Sequence, residues 1–151
     1  MKKYIIIALS LLMVVACKKS SNNSATSGST FNITFNGKTF HESSGSLTGL
    51  TTSNTGNSYL CDIEADTKNI QVKLFGIKYS SSTATGTYHE YDYNVGDFSD
   101  VSDGGKNYEI DTTSTITITQ SDAGWVKGTF SLTLHYNGST YPATGDFAMK
   151  H

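Results

Sequence analysis

Residues 115–149 read TITITQ, SDAG, WVKGTFSLTLHY, NG, STYPATGDFAM, and this stretch decides the fold. Apolar and polar side chains alternate with a period of two. Ile116 and Ile118 fall on one face of the first segment and threonines on the other, while Phe130, Leu132 and Leu134 share a face of the segment Trp125 to His135. Successive side chains on a strand point to opposite sides, so strict alternation is the mark of a half-buried strand. Ser121 to Gly124 turns the chain between these two segments. Asn137-Gly138 is the dipeptide that tight two-residue hairpins prefer, and a closing strand follows through Tyr141, Ala143, Phe147 and Met149.

The same pattern extends upstream. Phe31, Ile33 and Phe35 alternate with polar residues, Asn36-Gly37 supplies another hairpin turn, and Thr39 to His41 begins the return. Tyr59 to Ala65 and Asn69 to Phe75 form a further expected hairpin, closed by Asp66-Thr67-Lys68, with Ile70, Val72 and Leu74 on one face. Cys61 shares a face with Ile63 and reads as a small buried hydrophobe. Helical periodicity is nearly absent. The expected fold class is all-β, an antiparallel sandwich or barrel built from consecutive hairpins.

The first residues have a different character. Lys2 and Lys3 precede an apolar run from Tyr4 to Val15, about a dozen residues where a spanning helix needs about twenty, and Val14-Val15-Ala16-Cys17 closes it. This layout reads as a signal peptide and resembles the bacterial lipobox, which implies a diacylated thiol at Cys17 and cleavage just before it. Residues 18–30, KKSSNNSATSGST, hold almost nothing that can bury surface and read as a flexible tether. The expected organisation is a signal peptide over 1–16, a lipidated cysteine and tether over 17–30, and a β domain over 31–151.

Charge narrows the functional classes. The chain has eleven lysines, no arginine and thirteen acidic residues; loss of residues 1–16 leaves nine lysines and a net charge of −4. That balance argues against nucleic acid, which needs a basic stripe. The lack of arginine removes the usual bidentate clamp for phosphates and carboxylates. No cofactor is expected.

Three features are candidates for chemistry. The segment Glu90 to Asp111 holds Glu90, Asp92, Asp97, Asp100, Asp103, Glu109 and Asp111 against Lys106 alone. Asp97, Asp100 and Asp103 precede Gly104-Gly105 in an expected loop and are the metal candidates, although their spacing does not match a calcium loop. Next to them, Tyr88 to Tyr93 places His89, Tyr91 and Tyr93 on one strand face. Aromatic faces beside carboxylates suit sugar rings, so these three are the candidate ligand-binding residues. The histidines at 41, 89, 135 and 151 belong to no nucleophile elbow, metalloprotease helix or phosphate loop.

The order of short motifs carries a resemblance. Ile70-Gln-Val-Lys-Leu74, Gly86-Thr-Tyr88, Ile116-Thr-Ile-Thr119, Gly128-Thr-Phe-Ser-Leu132 and Gly145-Asp-Phe147 follow one another behind the Cys17 motif. In this the chain resembles the small lipoproteins of unknown function common in Bacteroidota. The resemblance implies a cell-envelope location, with a lipid anchor in the outer membrane, and a β-rich architecture. Surface-exported members often carry acidic residues after the cysteine. Lys18-Lys19-Ser20-Ser21 stands here instead, so the periplasmic and surface faces both stay open. Two functional readings result: a non-enzymatic, lipid-anchored module that binds a glycan or an envelope protein, and a small envelope hydrolase that uses carboxylates of the 90–111 segment.

Overall fold

The computed structural model describes residues 28–43, 46–53, 58–79, 83–90 and 96–150, apart from the side chain of Glu90. The signal-peptide and lipidation assignments at residues 1–17 lie outside the described residues. The described residues form eleven strands: β1 Thr30–Phe35, β2 Lys38–Glu42, β3 Ser46–Ser53, β4 Ser58–Asp66, β5 Ile70–Tyr79, β6 Gly86–Glu90, β7 Asp97–Asp100, β8 Lys106–Ile110, β9 Thr115–Ser121, β10 Trp125–Tyr136 and β11 Ser139–Lys150. Every pairing among them is antiparallel. The all-β expectation is met.

The hairpin turns follow from local chemistry. Asn36 and Gly37 have φ of 49° and 73°, and Asn137 and Gly138 have 48° and 76°. Positive φ at both central positions is the primed turn whose twist matches the flanking strands, and asparagine and glycine tolerate it best. These turns set the registers Phe35↔Lys38 and Tyr136↔Ser139, from which the rest of each ladder follows.

Two long strands organise the sheet. On one edge β10 pairs with β11 along its whole length; on the other it meets β9 from Val126 to Ser131 and then β8 at Leu134 and His135. β5 does the same, with β4 on one edge and β7 followed by β6 on the other. Because β6 pairs β9 and β7 pairs β8, the strands β10, β9, β6, β5, β7 and β8 close a circuit. The changeover on β10 leaves no orphaned backbone group at Thr133. Its N–H donates to Ser114 Oγ at 3.0 Å and its carbonyl accepts from Asp111 N at 2.8 Å, which a buried ladder requires.

Inward positions fill the space within this circuit and under the β1–β2 and β3–β4 extensions. Phe31 stacks on Phe130 with centroids 5.1 Å apart, and Phe35 meets Phe98 and Tyr108, each at 4.9 Å. Cys61 is fully buried beside Ile63. On β11, Gly145 lies where a Cβ would overlap the Asn32 carbonyl and the Phe130 ring, so backbone and aromatic side chain approach as only glycine allows.

Three places differ in detail from the reading of the sequence. Ser29 is buried and accepts from Lys150 N at 2.9 Å, and Thr30 already pairs with Ala148, so the folded domain starts before Phe31. The acidic segment is not one loop: Asp97–Asp100 and Lys106–Ile110 are paired strands around a 3-10 turn at Val101–Asp103. Strand β3 is also additional, since SLTGLTTS carries only two large apolar residues and gives a weak alternation signal.

Candidate functional site

Strand β4 sends Cys61, Ile63 and Ala65 inward and Leu60, Asp62, Glu64 and Asp66 outward. Its partner β5 sends Ile70, Val72, Leu74 and Gly76 inward, leaving Gln71, Lys73, Phe75 and Ile77 on the outer face. The run Leu74-Phe75-Gly76-Ile77 is therefore apolar on both sides. Ile77 is buried yet stands apart from the main core cluster, and it pairs with Leu60 on β4 and with His89 on β6. Leu50 of β3, 46% exposed, stands opposite Asp62, which in turn stands opposite Phe75. The outer face of β3–β6 thus carries an apolar patch with one carboxylate set in it.

That carboxylate is incompletely satisfied. Asp62 Oδ1 is buried with no hydrogen-bond partner, and Oδ2 lies 3.9 Å from Lys73 Nζ. Burial pushes the Asp62 carboxyl above the usual carboxylate range; Lys73 opposes the rise and Glu64 adds to it. A buried polar atom without a partner is rare and costly, and calls for a reason.

Beyond the patch the outer face becomes polar. Registers align Glu64, Lys73, Asp97, Glu109, His135 and Thr140 in one row across β4, β5, β7, β8, β10 and β11. Lys73 donates to Glu64 at 2.7 Å, and this bond, with the Asp62 charge behind it, raises its pKa. Gln71 donates to Asp66 at 2.8 Å. An open trough of about 450 Å³ runs along this row between Glu64, Asp66, Lys73, Asp97 and Asn107.

At the far end of the row, His135 Nε2 lies 3.0 Å from Asp111 Oδ2 and its Nδ1 lies 3.3 Å from Thr140 Oγ1. The other Asp111 oxygen accepts from Thr113 N at 2.7 Å. The bonds from Thr113, and then the one to His135, hold the Asp111 carboxyl down to about 2. A hydroxyl, an imidazole and a carboxylate are in this way joined in series on an exposed hairpin.

The sequence-derived candidates distribute unevenly over this surface. His89 is exposed on β6 beside Ile77, at the edge of the apolar patch. Tyr91 and Tyr93 lie outside the described residues, as does Cys17. The three metal candidates do not converge. Asp97 faces out into the trough, while Asp100 is buried on the opposite side of β7 and accepts from Ser102 Oγ at 2.6 Å and Asp103 N at 3.1 Å. Asp103 pairs with Lys106 at 2.6 Å. Among the described residues, no group of three or more histidine, cysteine or acidic side chains could hold a metal ion.

The hairpin that sets Phe75 opposite Asp62 is legible in the sequence, but β3, which sets Leu50 on its other side, alternates too weakly to be read. The double-sided run at residues 74–77 was the available signal, since alternation that lapses into continuous apolar residues marks a strand covered on both faces. Among the described residues, no helix is long and apolar enough to cross a membrane. The chain matches no protein-family model, no curated protein and no solved structure.

Proposed function

We propose that this protein is a lipid-anchored module of the bacterial cell envelope that binds a glycan on the outer face of β3–β6, without chemistry of its own. The anchor rests on the Val14-Val15-Ala16-Cys17 motif, which calls for acylation at Cys17, and on the resemblance to Bacteroidota lipoproteins, which favours the outer membrane. The observation that carries the binding reading is Asp62, an unpartnered carboxylate oxygen set between Leu50 and Phe75. A sugar offers a hydroxyl donor for such an oxygen and an apolar ring face for the patch around it. His89 adds a polar group at the rim, and Tyr91 and Tyr93 follow it in sequence. Binding sites are commonly built this way, mostly apolar with few placed polar groups.

A glycan array probed with wild type, Asp62→Ala and His89→Ala tests this reading. The account expects a glycan signal that falls in both variants. A signal unchanged in both contradicts it, and a wild type that binds no glycan turns attention to a protein partner on the same face.

A hydrolase is the second reading, favoured by one observation: the series Thr140, His135 and Asp111, in which a carboxylate orients an imidazole that reaches a hydroxyl. This is the connectivity of an activated nucleophile. Asp111 belongs to the acidic 90–111 segment. Turnover of acyl esters that vanishes in both Thr140→Ala and His135→Ala would support this reading over the first.

A further inference from the structure

The chain enters the domain at one corner, and that corner has its own chemistry. Gly28 lies against Trp125: a Cβ added at Gly28 would stand 3.6 Å from the ring carbon Cη2. The next residue, Ser29, accepts from Lys150 N at 2.9 Å, and Lys150 stands directly opposite Trp125 in the β10–β11 register. Lys127, two residues along β10 on the same outer face, sits with its ammonium 4.8 Å from the centre of the Trp125 ring. Trp125 and Lys127 are half-buried and Lys150 is exposed. The acid at this corner is Asp122, whose carboxylate is turned onto its own loop, accepting from Gly124 N, Trp125 N and Gln120 Nε2.

Eleven peptide steps separate Gly28 from Cys17. Covalent geometry alone limits that length to about 40 Å at full extension. This corner, rather than the hairpin turns at residues 36–37 and 137–138, is therefore where the domain is tied to whatever holds Cys17. Tryptophan combines an apolar body with an N–H donor and favours the headgroup level of a bilayer. Lysine stems lie along apolar surface while their ammonium groups reach phosphates. Two lysines are too few to recruit a free protein, but a tether keeps the local lipid concentration high enough for weak contacts to act.

We propose that Trp125, Lys127 and Lys150 form a membrane-contact surface that rests on the headgroups of the bilayer in which Cys17 is anchored. This rests on the lipid-anchor reading above, and it orients the domain with its entry corner down.

Trp125 is the only tryptophan of the chain, so its emission reports this corner alone. The mature acylated protein, beginning at Cys17, is reconstituted into vesicles of phosphatidylethanolamine with phosphatidylglycerol, with and without brominated acyl chains. The expected result is a blue shift and bromine quenching in wild type. Both should be lost in Lys127→Glu/Lys150→Glu, which still sediments with the vesicles through its lipid. An acylated, vesicle-bound wild type whose emission is neither shifted nor quenched overturns the contact and leaves the anchor standing. Equal quenching in the double variant overturns the contact as described here. Absence of acylation on wild type overturns the anchor and the contact together.

Discussion

Asp62 and Phe75 stand directly opposite each other on β4 and β5, and the carboxylate oxygen Oδ1 beside that pair is buried with no hydrogen-bond partner. A strand surface built for stability alone would place threonine or valine there. A carboxylate held there with one oxygen unpartnered costs the domain some stability, as the proposed binding role at this face requires.

Asp62→Thr should therefore stabilise the domain at neutral pH. Screening by solvent at this partly exposed side chain keeps the gain to about 1 kcal/mol or less. The pH dependence follows from the raised carboxyl. A group whose folded pKa lies above its unfolded value contributes stability that is present below the unfolded pKa and is lost as pH rises through the folded one. Wild type should gain a small increment on acidification toward the carboxylate range, and Asp62→Thr should lack that increment. Urea denaturation across pH checks both; a variant less stable than wild type at neutral pH contradicts the account.

Asp111 should show the opposite sign. Its folded carboxyl is depressed to about 2 from an ordinary value of 3.8, so its contribution is complete above 3.8 and disappears as pH falls toward 2. The hairpin around Asn137-Gly138 should loosen in that window. Amide exchange at Thr113, whose N–H Asp111 accepts, is the direct readout. Asp111→Asn should leave that amide less protected at neutral pH and remove the acid transition.

Lys73→Met removes the ammonium group that Asp62 and Glu64 share. Stability should fall by about 1 kcal/mol or less, with the larger loss at low ionic strength, where the row of carboxylates repels itself most. Denaturation midpoints of equal spacing at low and high salt would show that this row is not electrostatically coupled.

Two glycine substitutions separate conformational from steric cost. At Gly37 nothing lies within 4 Å of an added Cβ, so Gly37→Val is strained only by its φ of 73°, at about 1–2 kcal/mol. Gly145→Ala, by contrast, drives a methyl into the Asn32 carbonyl and the Phe130 ring. It should cost about 1–3 kcal/mol by overpacking and should perturb the aromatic signals of Phe130, which Gly37→Val leaves alone. Equilibrium unfolding with proton spectra of both variants makes the comparison.

The core was legible in the sequence wherever one strand carried its own alternation. Phe31, Ile33, Phe35, Ile70, Val72, Leu74, Phe130, Leu132 and Leu134 all face inward as their spacing requires. The acidic segment misled because its strands are short and polar on the outer face. Phe98, Tyr108 and Ile110 bury themselves, while Asp97 and Glu109 dominate the composition around them. The apolar patch was legible only through the double-sided run at residues 74–77, because β3, which completes it, alternates weakly; the Asp111–His135–Thr140 series depends on the β8–β10 pairing, which no turn signal announces. His89 lies exposed because the alternation of β6 turns it away from the buried Tyr88, a relation of neighbours in sequence.

The proposed anchor requires that Cys17 carry lipid and hold the β domain at a membrane. Metabolic labelling with a fatty acid, followed by membrane fractionation of wild type and Cys17→Ser, decides the point. The account predicts label and membrane association in wild type, with both lost in Cys17→Ser. Label that persists in Cys17→Ser, or a wild type that carries none, would contradict it.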